Sequence, residues 1–205
     1  MSEDLEQLKV SLKCGDEVFH SDGAPLDYRL LEFWRWSVSD IVSNATRGIL
    51  AEFIVAKALN MSTDSVRDQW AVYDLISPEG IRIEVKSASY VQTWNQRSLS
   101  TIQFLTRRTK AWDSHTNIQA KESKRQADVY VFALLAHKDK ATIDPLNVNQ
   151  WRFYVVPTTV LDNRTRSQHS ITLKTLDKLC SGSFPYSDLR NSVIQAGVNG
   201  VSGTG

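Results

Sequence analysis

The sequence predicts an α/β domain with a mixed sheet of four or five strands that is flanked by helices. Residues 70–76 and 81–90 are rich in β-branched and aromatic side chains and are separated by a turn signal, which is typical of a hairpin. Two further strand patterns follow at residues 128–136 and 151–156. Helical patterns lie before the hairpin and after the last strand, so we expect helices to cover the sheet.

Length and composition indicate one ordinary globular domain. A chain of 205 residues with 41% apolar residues is long enough and apolar enough to bury a full core. We expect one domain over residues 1–196, with its core at about 40–157 and its last two helices within 170–196. The glycine-rich residues 197–205 are expected to form a disordered tail.

Two helices are predicted before the hairpin. Asp27 can cap a segment with apolar residues at 30–36, and a second helix is predicted over about residues 40–59. In the second helix, Glu52 lies within the stripe of small and apolar side chains and not on the solvated face. A buried carboxylate needs a partner, which is either a shared cation site or a basic side chain. The basic candidates are Arg47, Lys57 and Lys86.

The turn of the hairpin determines how its strands pair. Residues 77–80 read Ser-Pro-Glu-Gly, and proline followed two residues later by glycine is typical of a type I turn. With Gly80 in the left-handed conformation, the loop has three residues and is closed by the pair Ser77 and Ile81. This prediction defines the register of every later pair in the hairpin.

Counting outward from that pair places Asp74 directly opposite Glu84. Facing residues have Cβ atoms roughly 5 Å apart, and like charges at that distance destabilise the strand pair. Alternation puts Lys86 on the face of Glu84 and turns Ile83 and Val85 toward the other face. A cation between the carboxylates would stabilise this arrangement, and an all-oxygen ligand set favours Mg²⁺ or Mn²⁺ over zinc.

The region after the hairpin predicts a short strand at 99–105 and two core strands. Residues 128–136 form a continuous apolar run, which is typical of a strand buried on both faces, whereas residues 151–156 alternate. Residues 105–126 carry six basic side chains against two acidic ones. This long polar segment is either a solvated loop or a surface that contacts nucleic acid.

The spacing of Asp74, nine further residues and then Glu84-Val85-Lys86 resembles the motif of the PD-(D/E)XK nuclease superfamily. The superfamily has the restriction-endonuclease-like fold. Tyr73 stands where the name of the motif has proline. The segments K-R-x-A-D-V-Y-V-F and Q-W-x-F-Y-V-V are similar to later core strands of this superfamily, which extends the resemblance to about residues 40–157.

The resemblance implies a metal-dependent nuclease acting on nucleic acid, with DNA favoured over RNA. It implies that Asp74, Glu84 and Glu52 hold Mg²⁺ or Mn²⁺ and that the carbonyl of Val85 completes the coordination. Lys86 is then expected to stabilise or deprotonate the attacking hydroxide, for which arginine could not substitute. The residues that we expect to contact the nucleic acid are Gln92, Arg107, Arg108, Lys110, Lys121, Lys124 and Arg125.

Two other functions are consistent with the sequence. One is a nucleic-acid-binding module whose nuclease-like site is inactive or depends on a partner, although a degenerate site tends to lose one of Asp74, Glu84 and Lys86. The other is a two-carboxylate enzyme such as a glycosidase. A glycosidase would explain neither Lys86 nor carboxylates that face each other so closely. Dependence of the activity on a metal distinguishes it from a nuclease.

The composition also bears on location and partners. No apolar run approaches the roughly 18 residues of a membrane span, and Cys14 and Cys180 lack the spacing of a metal site or a disulfide framework. We therefore expect a cytoplasmic protein without a membrane partner. A net charge of +1 argues against bulk attraction to nucleic acid, so contacts should be local. A homodimer would provide the two sites that are needed to cut both strands of a duplex.

Overall fold

The computed structural model describes residues 8–114, 116–165, 168–180 and 182–201. The strands in these residues are β1 (Val18–Ser21), β2 (Ala24–Arg29), β3 (Leu75–Ile76), β4 (Arg82–Ser89), β5 (Gln103–Leu105), β6 (Thr109–Asp113), β7 (Ile118–Lys124), β8 (Val129–Leu135), β9 (Trp151–Pro157) and β10 (Ser170–Thr172). The α-helices in these residues are α1 (Leu30–Val38), α2 (Asn44–Ala58), α3 (Thr158–Asp162), α4 (Leu173–Leu179) and α5 (Leu189–Val201).

The centre of the molecule is a mixed four-stranded sheet in the order β3-β4-β8-β9. The strand β4 pairs parallel to β8, and both outer pairs are antiparallel. One face of the sheet packs against α2 and α5, and the other packs against β5, α3, β10 and α4. The predicted α/β class, with a mixed sheet flanked by helices, is therefore confirmed.

The strand β8 forms the middle of the core, because it is buried along its whole length. Val129, Val131 and Ala133 pack toward α2 and α5, whereas Tyr130 and Phe132 pack toward the opposite layer. The continuous apolar run in the sequence therefore identified this strand correctly as one with two buried faces. Residues that lie opposite each other in the paired strands β4 and β8 share a face of the sheet. The alternation of side chains along β8 therefore also assigns each side chain of β4 to a face.

The hairpin turn has the geometry that its residues predict. Gly80 has a φ of +83°, and the backbone N–H of Ser77 donates to the carbonyl of Ile81 at 2.9 Å. The pair Leu75 and Ile83 continues this register. The first strand is much shorter than predicted, because β3 holds only two residues and residues 70–74 are irregular.

Two other parts of the chain differ from the sequence prediction. Residues 106–125 were expected to be a long polar loop, but β6 and β7 form an antiparallel hairpin within them. The segment 170–180 begins as β10, which pairs with β5, and becomes helical only in α4. Pairing partners of such short strands lie far away in the sequence, so local patterns do not reveal them.

The C-terminal helix extends beyond its predicted end. The helix α5 continues to Val201 and thus enters the segment 197–205, of which residues 202–205 lie outside the described part of the chain. Gly197 packs so closely on the hairpin that a Cβ atom there would lie 2.5 Å from Cδ1 of Ile81. Contact with the hairpin therefore supports a helical segment whose composition alone predicts disorder. None of the helices within the described ranges is both long and apolar enough to cross a membrane.

An ion pair joins the starts of the two central strands and gives a testable pH dependence. Oδ2 of Asp128 accepts hydrogen bonds from the backbone N–H of Arg82 at 2.9 Å and from its Nε at 3.0 Å. The hydrogen bond from the Arg82 side chain is the main cause that holds the pKa of Asp128 below its usual value. Because the folded-state pKa lies below the unfolded one, this stabilisation is present above the unfolded pKa and is lost as the pH falls through the folded pKa.

We expect Asp128→Asn to lower the free energy of unfolding by about 1 kcal/mol at pH 7, since Arg82 is half exposed. Urea denaturation at pH 7 and at about pH 3 measures the effect, and the difference from the wild type should shrink at the lower pH. A difference of equal size at both pH values would contradict an ionic origin.

Candidate active site

The strand β4 has an open edge, because β3 pairs with only its first residues. At this edge the carboxylate of Asp74 takes the place of the backbone carbonyl that a neighbouring strand would supply. Its Oδ2 accepts a hydrogen bond from the backbone N–H of Val85 at 2.7 Å. The N–H and C=O groups of one strand residue leave the strand on the same side. The carbonyl of Val85 therefore faces the same edge as Asp74, where the sequence predicted a metal ligand.

Glu84 and Lys86 project from the same face of β4. Their neighbours Ile83 and Val85 are buried on the opposite face, as strand alternation predicts. Nζ of Lys86 lies 2.5 Å from Oε1 of Glu84. Burial is the main cause that raises the pKa of Glu84, the charge of Lys86 opposes it, and the charges of Asp74 and Glu52 raise the pKa further.

Glu52 is buried on α2 and faces this edge, as predicted. Arg67 binds both of its carboxylate oxygens: Nε contacts Oε2, and Nη2 donates to Oε1 at 2.9 Å. Nη2 of Arg67 is also 4.0 Å from Oδ1 of Asp74. Burial raises the pKa of Glu52, the hydrogen bond from Arg67 lowers it, and the charge of Asp74 raises it. Four predicted site residues are thus gathered at one edge: Glu52, Asp74, Glu84 and Lys86.

Arg67 is the site residue that sequence reasoning missed. None of the proposed basic partners of Glu52 is its hydrogen-bonding partner, since Arg47 bonds to Asn44, Lys57 to Thr63, and Lys86 to Glu84. Arg67 lies in an irregular stretch between α2 and β3, where no periodicity indicates which way a side chain points. The predicted burial of Glu52 indicated that this carboxylate has a cationic partner. It did not indicate which basic residue that partner is.

The donor set at this edge suits a hard divalent cation. Three carboxylates and the Val85 carbonyl supply only oxygen ligands, which Mg²⁺ and Mn²⁺ prefer. In the described part of the chain, however, no three His, Cys, Asp or Glu side chains are already grouped to hold a metal. Two of the carboxylates already bind a basic side chain: Arg67 contacts the oxygens of Glu52, and Lys86 contacts one oxygen of Glu84. A metal would have to compete with these two internal cations.

A cavity of about 420 Å³ opens beside Asp74 and Glu84. Asp74 and Glu84 line it together with Lys110, Trp70 and Trp112. The two indole rings meet edge to face with centroids 5.5 Å apart, and Trp70 is largely exposed. The β6–β7 hairpin thus brings Lys110 and Trp112 next to the carboxylates, and Trp70 joins Trp112 from the segment before β3.

The basic residues predicted to contact nucleic acid fall into two groups. Arg107, Lys110, Lys121 and Lys124 are exposed on or near the β6–β7 hairpin. Arg108 is also exposed, but its Nη2 lies 2.9 Å from Oδ1 of Asp162.

The other predicted contacts, Arg125 and Gln92, are buried. Arg125 pairs with Asp162 and donates from Nε to the carbonyl of Thr106 at 3.0 Å. Its guanidinium is thus bound within the protein, so its prediction as a nucleic-acid contact is wrong. Gln92 is not on an exposed catalytic face; its Nε2 donates to the carbonyl of Ser89 at 3.0 Å.

A mixed sheet with carboxylates and a lysine at one open strand edge, beside a basic hairpin whose Trp112 packs on Trp70, is the arrangement expected of a nuclease. The family model of bacteriophage T4 endonuclease IV matches residues 26–175, and the chain belongs to this family. The matched segment contains Glu52, Asp74, Glu84 and Lys86, and membership of the family suggests a DNA endonuclease. No curated protein matches the chain significantly.

Proposed function

We propose that this protein is a metal-dependent DNA endonuclease of the PD-(D/E)XK type with a restriction-endonuclease-like core. The observation that carries the proposal is the hairpin register, which places Asp74 at the open edge of β4 beside Glu84 and Lys86. Glu52 reaches the same edge from α2, where its charge and those of Asp74 and Glu84 act on one another. Like charges are gathered in this way where a cation is to be bound.

The residues that would hold Mg²⁺ or Mn²⁺ are Asp74, Glu84, Glu52 and the carbonyl of Val85. When bound, such an ion would neutralise charge on a phosphate oxygen and lower the pKa of a coordinated water. Arg67 is the internal counter-ion of Glu52 and competes for this carboxylate. The hydrogen bond from the Val85 N–H holds Asp74 in place independently of Arg67.

Lys86 has the position of the group that acts on the attacking water. Glu84 holds its ammonium group within 2.5 Å of a carboxylate that lines the cavity, so that its charge can stabilise the negative charge that develops in the transition state. A lysine can also exchange a proton with the attacking water, which an arginine cannot do. In-line attack then cleaves the phosphodiester bond, with the positions of Asp74 and Glu84 setting the orientation of the phosphate.

The cavity beside the acids supports a nucleic acid as the substrate. Trp70 and Trp112 offer aromatic faces against which a base or sugar can pack, and Lys110 offers a charge to a phosphate. The exposed Arg107, Lys121 and Lys124 extend this basic surface along the hairpin. The cations are local, which agrees with a protein of nearly neutral net charge.

A second candidate function is a nucleic-acid-binding protein whose site needs a partner before it can cleave. It is favoured by one observation: Arg67 and Lys86 already pair with Glu52 and Glu84, so two of the three carboxylates have an internal counter-ion without a metal. The two candidates share the binding surface and differ in whether the isolated protein cleaves.

The test is a cleavage assay on plasmid, linear duplex DNA, single-stranded DNA and RNA, with Mg²⁺ or Mn²⁺ and with EDTA. We expect cutting of DNA that requires the metal and stops in EDTA, because the carboxylates alone cannot stabilise the phosphate charge. Cutting that persists in EDTA would contradict the proposal. Binding of DNA without cutting under any of these conditions would favour the second candidate.

A further inference from the structure

A second cavity, of about 470 Å³, is lined by Lys86, whose ammonium group pairs with Glu84 of the candidate active site. The first turn of α2 lines it with Asn44 and Arg47, and Ser89 and Gln92 also line it. Among the described residues, its lining holds two cations, Arg47 and Lys86, and no carboxylate. The cavity is therefore electropositive at the point where it meets the candidate active site.

Arg47 is a buried charge that makes no ion pair with any residue in the described part of the chain. It is only 2% exposed, and its Nη1 and Nη2 donate to the carbonyl of Val42 at 2.5 Å and to Oδ1 of Asn44 at 2.6 Å. Among the described residues its Nε has no hydrogen-bond partner, and the charge of Asp40 acts on it only at longer range. A buried cation without a carboxylate partner is costly, unless a ligand supplies the counter-charge.

Another buried polar group of this cavity wall, Oγ of Ser89, has no hydrogen-bond partner among the described residues. Like Nε of Arg47, this hydroxyl can donate a hydrogen bond. Buried polar atoms in proteins normally have partners, so two unpartnered donors in residues that line one cavity indicate a ligand that accepts hydrogen bonds.

The start of α2 adds a further feature that favours an anion. The helix is 15 residues long, and its N-cap Ser43 makes no side-chain hydrogen bond to the first-turn amides. The hydroxyl of Ser43 instead donates to Oγ1 of Thr46 at 3.2 Å. A helix start without a side-chain cap and the helix dipole together favour a negatively charged ligand at this end.

We propose that this cavity is a phosphate site, in which Arg47 and the start of α2 bind a phosphodiester group of the DNA next to the one that is cut. The inference rests on the proposed function, because the DNA supplies the phosphate. Lys86 borders both the cavity and the candidate active site, so a strand with one phosphate at Asp74 and Glu84 places a neighbouring phosphate toward Arg47. The site thereby positions the strand for cleavage.

The variant Asn44→Asp tests the site without removing the buried arginine. The new carboxylate replaces the oxygen that Arg47 already contacts and so gives Arg47 an internal counter-ion. An acidic residue in the first turn also stabilises a helix, so the variant is expected to fold at least as well as the wild type. Asn191→Asp is the matched control, because it makes the same change in the first turn of α5.

The measurement is the fluorescence anisotropy of a labelled DNA oligonucleotide in EDTA at several salt concentrations. We expect Asn44→Asp to bind DNA about tenfold more weakly than the wild type, since one phosphate contact is lost. The slope of the logarithm of the affinity against the logarithm of the salt concentration should be smaller by about one for the same reason. Asn191→Asp should bind like the wild type, and thermal denaturation should show that both variants are folded.

Modified oligonucleotides show which phosphate is bound. Replacing the phosphate next to the cut site by an uncharged methylphosphonate should weaken binding to the wild type about tenfold and have little effect on Asn44→Asp. A loss seen only on removal of a terminal 5′-phosphate would overturn the assignment to an internal phosphodiester.

Equal affinity and equal salt dependence of Asn44→Asp and the wild type would overturn the phosphate site, even if the wild type cleaves DNA. The proposed function fails separately, if the wild type does not cut DNA with Mg²⁺ or Mn²⁺ or cuts it equally well in EDTA. Measuring cleavage and metal-free binding on the same preparations therefore distinguishes the two failures.

Discussion

Lys86→Ala is expected to lower the single-turnover rate of DNA cleavage by about 10²–10⁴-fold in the presence of Mg²⁺. The reason is that alanine removes the ammonium group that pairs with Glu84 in the candidate active site. Neither stabilisation of the attacking hydroxide nor transfer of its proton can then be supplied from this position. The rate is measured with enzyme in excess over labelled DNA, so that product release does not mask the chemical step.

Two further variants make this result specific. Lys174→Ala removes an exposed lysine on α4 and should cut at the wild-type rate. Lys86→Arg keeps the charge but cannot give up a proton at working pH, so a low rate in this variant assigns a proton-transfer role. A Lys86→Ala protein that cuts as fast as the wild type would remove Lys86 from the mechanism.

The second large effect concerns stability, at the residue that was wrongly predicted to contact nucleic acid. We expect Arg125→Met to lower the free energy of unfolding by about 3 kcal/mol, because the buried guanidinium pairs with Asp162 and bonds two backbone carbonyls. For a chain of this length, the loss corresponds to a melting temperature that is lower by about 6–12 °C. Urea and thermal denaturation measure both quantities.

Arg107→Met provides the matched comparison from the same segment. Arg107 is exposed, so its loss should change the free energy of unfolding by less than about 0.5 kcal/mol. The Arg107→Met substitution should instead weaken DNA binding in EDTA. It should also reduce the slope of the logarithm of the affinity against the logarithm of the salt concentration by about one. Unchanged stability of Arg125→Met together with weakened DNA binding would show that Arg125 contacts the nucleic acid after all.

The local chemistry of the sequence was sufficient to predict the central hairpin. A turn with proline and a left-handed glycine has few geometries, and its register follows from counting. The observed pair of Leu75 and Ile83 confirms that register. The burial of Glu52 was predictable for a similar reason, since the helical period of 3.6 residues assigns every side chain of α2 to a face.

Tertiary structure alone decided which charges meet. Arg67 lies 15 residues from Glu52, and Arg125 lies 37 residues from Asp162. Both arginines belong to stretches without a strong apolar period, so nothing local fixes the direction of their side chains. The same basic composition that predicts a nucleic-acid surface therefore also supplies a buried structural ion pair.

The sequence by itself determined the α/β class and the turn and first pairs of the hairpin, because turn geometry and strand alternation act over a few residues. Only the tertiary structure decided that Arg67 binds Glu52, that β6 and β7 form a hairpin beside the acids, and that Arg47 is buried without an ion pair to any described residue. These features depend on how distant segments pack, and packing depends on the summed fit of many side chains rather than on any local period.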